Sequence, residues 1–319
     1  IGENNLSTPF IVETLPGPPS KPENINVIVD GSTQVTINWY KPQQENGLIT
    51  QYEYYLESSN ALTKFNITNL ADYPYSYTIT GLNPYTSYDI KIRAYVGNYL
   101  GNFSDLVTFT TLEDLPSFPT NLLVNNISHE SCNLNWQEPN PSNGLITNYQ
   151  YSVYSNNNLY LNGYTDQTSI FLDTLEPFTD YEFEVKAFTS VGSGNFSEKT
   201  SFKTHEWYPS LPRNIVASNI TNTSVEVSYH PPLSPNGDIY RYNYRVNYDN
   251  IQGTYESDGF TENLDFTIDG LLPFTSYNIS VNSCNNLYCS QFSDNKEFIT
   301  DEGIPSKPIN LLYTNLDST

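Results

Sequence analysis

Apolar and polar residues alternate with a period of two through much of this chain. Between 88 and 95, Tyr88, Ile90, Ile92 and Ala94 fall on one side and Asp89, Lys91, Arg93 and Tyr95 on the other. That pattern predicts a strand with one face in a core and one in water. Val35, Ile37 and Trp39 predict a second such strand, and Cys132, Leu134, Trp136 and Val225, Val227, Tyr229 repeat it. Beyond each lies a turn signal, Asn46-Gly47-Leu48-Ile49, Asn143-Gly144-Leu145-Ile146 and Asn236-Gly237-Asp238-Ile239, where glycine supplies the positive φ a turn needs. A Tyr-rich strand follows, starting at Tyr52, Tyr149 and Tyr242.

These landmarks recur because the chain is an array. Pro-Ser-x-Pro begins at Pro19, Pro116, Pro209 and Pro305, steps of 97, 93 and 96 residues, so the repeating unit is domain-sized. Leu-x-Pro-aromatic-Thr-x-Tyr closes on Tyr88, Tyr181 and Tyr277. The hydrophobic fraction of 37% leans on 27 Tyr and 16 Phe, which favour pleated surfaces, and predicts an all-β protein.

Each unit resembles a fibronectin type III domain in its linker proline, second-strand Trp, Asn-Gly-x-Ile turn, Leu-x-Pro-x-x-x-Tyr corner and Gly-x-Gly-Asn-Phe-Ser hairpin (Gly192 to Ser197). The third unit departs by carrying Tyr229 in place of Trp. The resemblance implies three complete immunoglobulin-like sandwiches of seven strands, over 19–112, 116–204 and 209–301, with function carried by surface. It implies that Trp39, Trp136 and Tyr229 form the cores with Tyr88, Tyr181 and Tyr277 nearby, each corner hydroxyl tied to upstream backbone. Residues 1–15 read as the final strand of a preceding domain and 305–319 as the start of a fourth. With no Met in the sequence, the chain reads as an internal stretch of something larger.

A formal charge of −22, with only 13 Lys and Arg, excludes the basic patch that nucleic acid or anionic lipid requires. No apolar run is long enough to span a membrane. His129, His205 and His230 stand apart without catalytic or metal-ligand spacing, so neither an enzyme site nor a cofactor or metal site is expected. Gly192 to Ser197 has no following helix to make a phosphate loop and reads as a hairpin. Arg-Gly-Asp is absent, and Leu172-Asp173-Thr174, similar to a short acidic integrin motif, falls on a predicted strand.

Cys284 and Cys289 flank the last hairpin of the third unit and are expected to form a disulfide on its wet face, as in the fibronectin repeats of usherin-like proteins; Cys132 reads as a buried small hydrophobe. A disulfide places the chain outside the reducing cytosol. Eight Asn-x-Ser/Thr sequons, at Asn5, Asn66, Asn102, Asn126, Asn195, Asn219, Asn222 and Asn278, are candidate N-glycan sites. Asn5, Asn102 and Asn195 share one position of the repeat, Asn126 and Asn219 another. The proline-bracketed linkers predict semi-rigid joints, with Trp207-Tyr208 buried between domains. The expected function is a non-catalytic structural or adhesive rod of a large extracellular or cell-surface protein, its partners being modules of the same array or a matrix protein. A signalling-receptor ectodomain, such as that of a receptor tyrosine phosphatase, and a spacer in a secreted carbohydrate-active enzyme are the alternatives.

Overall fold

The computed structural model describes residues 13–58, 61–68, 74–250, 253–305 and 307. Asn5 and most of both partial repeats lie outside them. Among the described residues the regular elements are strands, and no helix is long and apolar enough to cross a membrane.

The first domain holds β1 (Glu23–Val29), β2 (Gln34–Tyr40), β3 (Gln51–Ser58), β4 (Ala61–Ile67), β5 (Tyr75–Thr80), β6 (Ser87–Val96), β7 (Tyr99–Leu100) and β8 (Val107–Thr110). The second holds β9 (Thr120–Asn125), β10 (Cys132–Gln137), β11 (Asn148–Ser155), β12 (Asn158–Thr165), β13 (Ser169–Leu172), β14 (Asp180–Phe188) and β15 (Thr200–Lys203). The third holds β16 (Arg213–Ser218), β17 (Ser224–His230), β18 (Arg241–Asn250), β19 (Gly253–Thr261), β20 (Asp265–Asp269), β21 (Ser276–Cys284) and β22 (Lys296–Ile299). In the second and third, a three-stranded sheet (β9-β10-β13, β16-β17-β20) faces a four-stranded one (β12-β11-β14-β15, β19-β18-β21-β22). The first domain differs only in the two-residue β7, which makes its larger sheet five-stranded.

Alternation places the cores. Val35, Ile37, Ile90, Ile92 and Ala94 are wholly buried, as are Val225, Val227, Ile279 and Val281 in the third domain. Trp39, Trp136 and Tyr229 are buried in the same clusters as the corner tyrosines, and their nearest ring contacts are on the following strand, Tyr52 (5.3 Å), Tyr149 (5.6 Å) and Tyr242 (4.9 Å). The corner tyrosines instead stack on the last strand: Tyr88 on Phe109, Tyr181 on Phe202 and Tyr277 on Phe298. Each corner hydroxyl accepts a backbone N–H five residues upstream, from Asn83, Glu176 and Leu272, at 2.9, 2.8 and 2.8 Å. Burial pushes the Tyr149 hydroxyl up to about 12 and the Cys132 thiol up to about 11, so both stay neutral.

Cys284 and Cys289 are joined, with an S–S distance of 2.02 Å and Cα atoms 4.0 Å apart. By strand parity the bond lies on the outward face, yet that face is not wet: Ser280, Asn282 and Cys284 are all buried, and Asn243 Nδ2 lies 3.1 Å from Cys284 Sγ. Thiol labelling of the unfolded, unreduced chain should find one reactive cysteine, Cys132, and finding three would contradict the bond.

Candidate functional site at the joints between domains

The Asn-Gly turns are placed at the top of each domain, and their chemistry differs from the turn reading. The left-handed residue in all three is the asparagine, with φ of 53°, 56° and 48° at Asn46, Asn143 and Asn236. Asn tolerates this conformation better than most residues. Gly47 and Gly237 also lie at positive φ, but Gly144 does not. What the three glycines share is crowding: a Cβ would sit 2.5 Å from Val96 at Gly47, 2.9 Å from Thr189 at Gly144 and 2.7 Å from Asn285 at Gly237.

That close packing lets each asparagine grip the incoming linker twice. Its carbonyl accepts the N–H of Gly17, Asp114 or Trp207 at 2.8–2.9 Å, and its Nδ2 donates to the next carbonyl, Pro18, Leu115 or Tyr208, at 2.7–2.8 Å. The serine of Pro-Ser-x-Pro adds a third hold, Ser20, Ser117 and Ser210 donating their N–H to Gln44, Pro141 and Ser234. The proline motif is thus part of the domain it precedes, and hydrogen bonds hold it there as well as proline stiffness.

The bottom of each domain holds the outgoing chain in the same way. Leu112, His205 and Asp301 donate their N–H to Gly31, Ser128 and Thr221, and accept from Tyr85, Phe178 and Phe274 at 3.0 Å. Those three corner aromatics take φ of 47°, 51° and 51°, a conformation that costs a bulky residue roughly 1–3 kcal/mol and that the surrounding contacts must offset. Between the two grips one residue is left, Glu113 in the first joint and Glu206 in the second.

Those glutamates are tied as well. Glu113 accepts from Ser190 Oγ and from the Leu145 N–H at 2.8 Å, while the neighbouring Asp114 reaches back to Ser32 Oγ at 2.7 Å. These bonds hold both carboxyls below the ordinary carboxylate range, Ser190 being the main cause for Glu113 and Ser32 for Asp114. In the second joint Glu206 accepts from Asn286 at 3.0 Å, and Asn285 donates to the Trp207 carbonyl at 2.6 Å. Trp207 bridges the domains: its ring stacks on His129 of the second at 3.7 Å and meets Tyr288 of the third at 5.4 Å. It remains 37% exposed, so it bridges without being buried.

The face predicted to be wet is covered in each domain by the residue after the hairpin. Phe103 packs on Tyr55 and under Lys91 and Arg93, Phe196 lies under Lys186, and Phe292 under Arg245. Beneath Phe103, wholly buried Glu53 pairs with Arg93 Nε at 2.5 Å and with the Tyr95 hydroxyl. Sequence reasoning had no signal for that pair, because it treated outward positions as solvated.

The residues weighed for catalysis stay apart. His129 is in the stack on Trp207, His230 pairs with Asn214 at 3.2 Å, and His205 lends its backbone to the joint. Among the described residues no group of three or more His, Cys, Asp or Glu could hold a metal ion. Gly192 to Ser197 is a hairpin, Thr189 bonding back to Gly192 at 3.0 Å, and Leu172 ends β13 with its side chain buried.

Three antiparallel sandwiches with tyrosine corners, gripped head to tail, define a tandem immunoglobulin-like array. The fibronectin type III domain model matches residues 20–110, 117–203 and 210–298, and the chain belongs to that family. It is 31% identical over 310 residues to human "Phosphatidylinositol phosphatase PTPRQ", covering 96% of this chain and 12% of that protein. It is 29% identical to Drosophila melanogaster "Tyrosine-protein phosphatase Lar", covering 97% and 16%, and 30% identical to rat "Cell adhesion molecule DSCAM", covering 70% and 12%. The chain therefore spans between about an eighth and a sixth of the length of these curated relatives. A crystal structure of chicken CNTN1 FN1-FN3 domains aligns over 90% of this chain and all of that one, at 18% identity and a TM-score of 0.48.

Proposed function

We propose that this chain is a non-catalytic spacing segment in the ectodomain of a cell-surface adhesion or receptor protein. The observation that carries the reading is the paired grip at each joint. Two domains that each hydrogen-bond the linker backbone, with one residue between the grips, behave as a stiff rod rather than as beads on a flexible string. The disulfide supports an oxidising compartment, and the acidic surface keeps like modules soluble and apart. Partners are then protein surfaces, met along the array or in the matrix. The similarity to PTPRQ and Lar favours a receptor ectodomain, and that to DSCAM an adhesion protein; a spacing role serves both.

The joints test this directly. Spin labels placed in the first and second domains of the full chain should give one narrow distance distribution, and Asn143→Ala should broaden it by removing a bond worth about 0.5–1.5 kcal/mol. An equally narrow distribution in the variant would remove the grip as the source of stiffness.

Acid should act on the first joint more than on the second. The lowered Glu113 and Asp114 carboxyls favour the ionised, bonded joint; that contribution is complete above the ordinary carboxylate range of about 4 and is lost as pH falls through the lowered values. The distribution across the first joint should therefore hold from pH 7 to 5 and broaden below about 4. Glu113→Gln with Asp114→Asn should broaden it already at neutral pH, and a joint indifferent to both changes would contradict the assignment.

A further inference from the structure

Of the three sequons the repeat places at one position, Asn102 and Asn195 lie among the described residues, and there the asparagine and the serine do opposite things. Ser104 and Ser197 are buried, and each Oγ accepts a strand N–H, from Ile92 and Val185, at 3.0 Å. Each also donates to the next carbonyl, Asp105 and Glu198, at 2.9 and 3.0 Å. In the third domain Ser293 makes the same pair of bonds with Val281 and Asp294. There the sequon asparagine is replaced by Gln291. The serine is therefore a structural residue of the hairpin, whereas the fold does not require the asparagine.

Asn102 and Asn195 are exposed, and among the described residues neither side chain is engaged in a hydrogen bond or ion pair. They stand beside the incoming linker: a Cβ on Gly101 would lie 2.8 Å from Pro19, and one on Gly194 would lie 2.2 Å from the Pro116 carbonyl. Two other sequons are less free. Asn278 is half-buried in β21, paired with Asn247 of β18 and Glu297 of β22, and its Ser280 is buried. Asn219 bonds Glu226.

We propose that Asn102 and Asn195 carry N-linked glycans that are attached before their domains fold and that flank the gripped linkers. This rests on the extracellular reading above. The transfer joins Asn Nδ2 to C1 of the first sugar of a lipid-diphosphate-linked oligosaccharide. The C1–O bond breaks, the lipid diphosphate leaves with the electron pair, and Nδ2 gives up one proton. Recognition of a sequon requires the hydroxyl of its third residue, and in the folded domain that hydroxyl is committed to Ile92 or Val185. Folding therefore closes both sites. At the second joint, where no sequon occupies this position, Cys284–Cys289 and the Tyr288 ring stand beside the linker, Tyr288 packing on its Trp207 and Tyr208.

Glycopeptide mapping of the full chain secreted from animal cells should find Asn102 and Asn195 occupied. Asn102→Gln and Asn195→Gln should each remove one glycan from the secreted product, since glutamine already stands at this position in the third domain. The folded, unglycosylated chain, incubated with oligosaccharyltransferase and its lipid-linked donor, should stay unmodified at both sites and accept sugar there once unfolded. A secreted chain with Asn102 and Asn195 bare and another sequon occupied overturns the site assignment and leaves the extracellular reading standing. Modification of the folded chain overturns the proposed order of events. All sequons bare together with three free thiols in native material overturns the extracellular reading and this proposal with it.

Discussion

Replacing Trp136 with Ala should lower the melting transition of the second domain by more than about 12 °C and leave the other two in place. The indole is 4% exposed, lies edge-on to Tyr149 and belongs to the cluster with Leu134, Phe183 and Val185 between the two sheets. Truncating a large core aromatic costs about 3–5 kcal/mol, because the lost transfer energy adds to a cavity the rigid sheets cannot close. For a domain of this size each kcal/mol shifts the transition by roughly 4–8 °C. The neighbouring cores are separate clusters, so their transitions should move little. Differential scanning calorimetry of the whole chain reads all three; an unmoved second transition would mean that Trp136 is not the centre of that core.

Arg93→Leu should destabilise the first domain about as strongly, by about 3–5 kcal/mol, through a different mechanism. Glu53 is 1% exposed at its side chain and Arg93 14%, so removing the guanidinium leaves a carboxylate in a low-dielectric site. The double change Glu53→Leu with Arg93→Leu should recover most of the loss, since a well-packed apolar pair often replaces a buried ion pair at little cost. Thermal denaturation of Arg93→Leu, Glu53→Leu and the double variant completes a cycle with the unaltered chain. A double variant no more stable than Arg93→Leu would show that the pair itself stabilises the domain.

This pair marks where the sequence stops being legible. The architecture was readable because it is written three times: the second-strand triplets, the proline corner and the terminal tyrosines each have siblings, and one physical cause explains all copies. Glu53–Arg93 has siblings too, but in different chemistry. The same cross-strand register holds Gln150 opposite Lys186 in the second domain and Asn243 opposite Asn282 in the third, the latter bonded at 2.9 Å. Period-two reasoning assigned these positions to water, and only the path of the returning hairpin, which lays Phe103 against Arg93, Phe196 against Lys186 and the Cys284–Cys289 bridge against Asn243, shows that they are covered. The joints were half legible. Proline spacing indicated short linkers, but the asparagine grip depends on a left-handed residue meeting a backbone some 28 residues away, and no local pattern encodes that meeting.

The central claim is that gripped joints hold the domains in line, and small-angle scattering of the full chain at neutral pH tests it most directly. With strands of seven to ten residues and about 3.3 Å rise, a module is about 30 Å long, so three in line predict a maximum dimension of about 90 Å before the linkers are counted. Asn143→Ala with Asn236→Ala should shorten the mean dimension and broaden the distribution. A compact particle, or a wild-type chain as flexible as the double variant, would contradict the account.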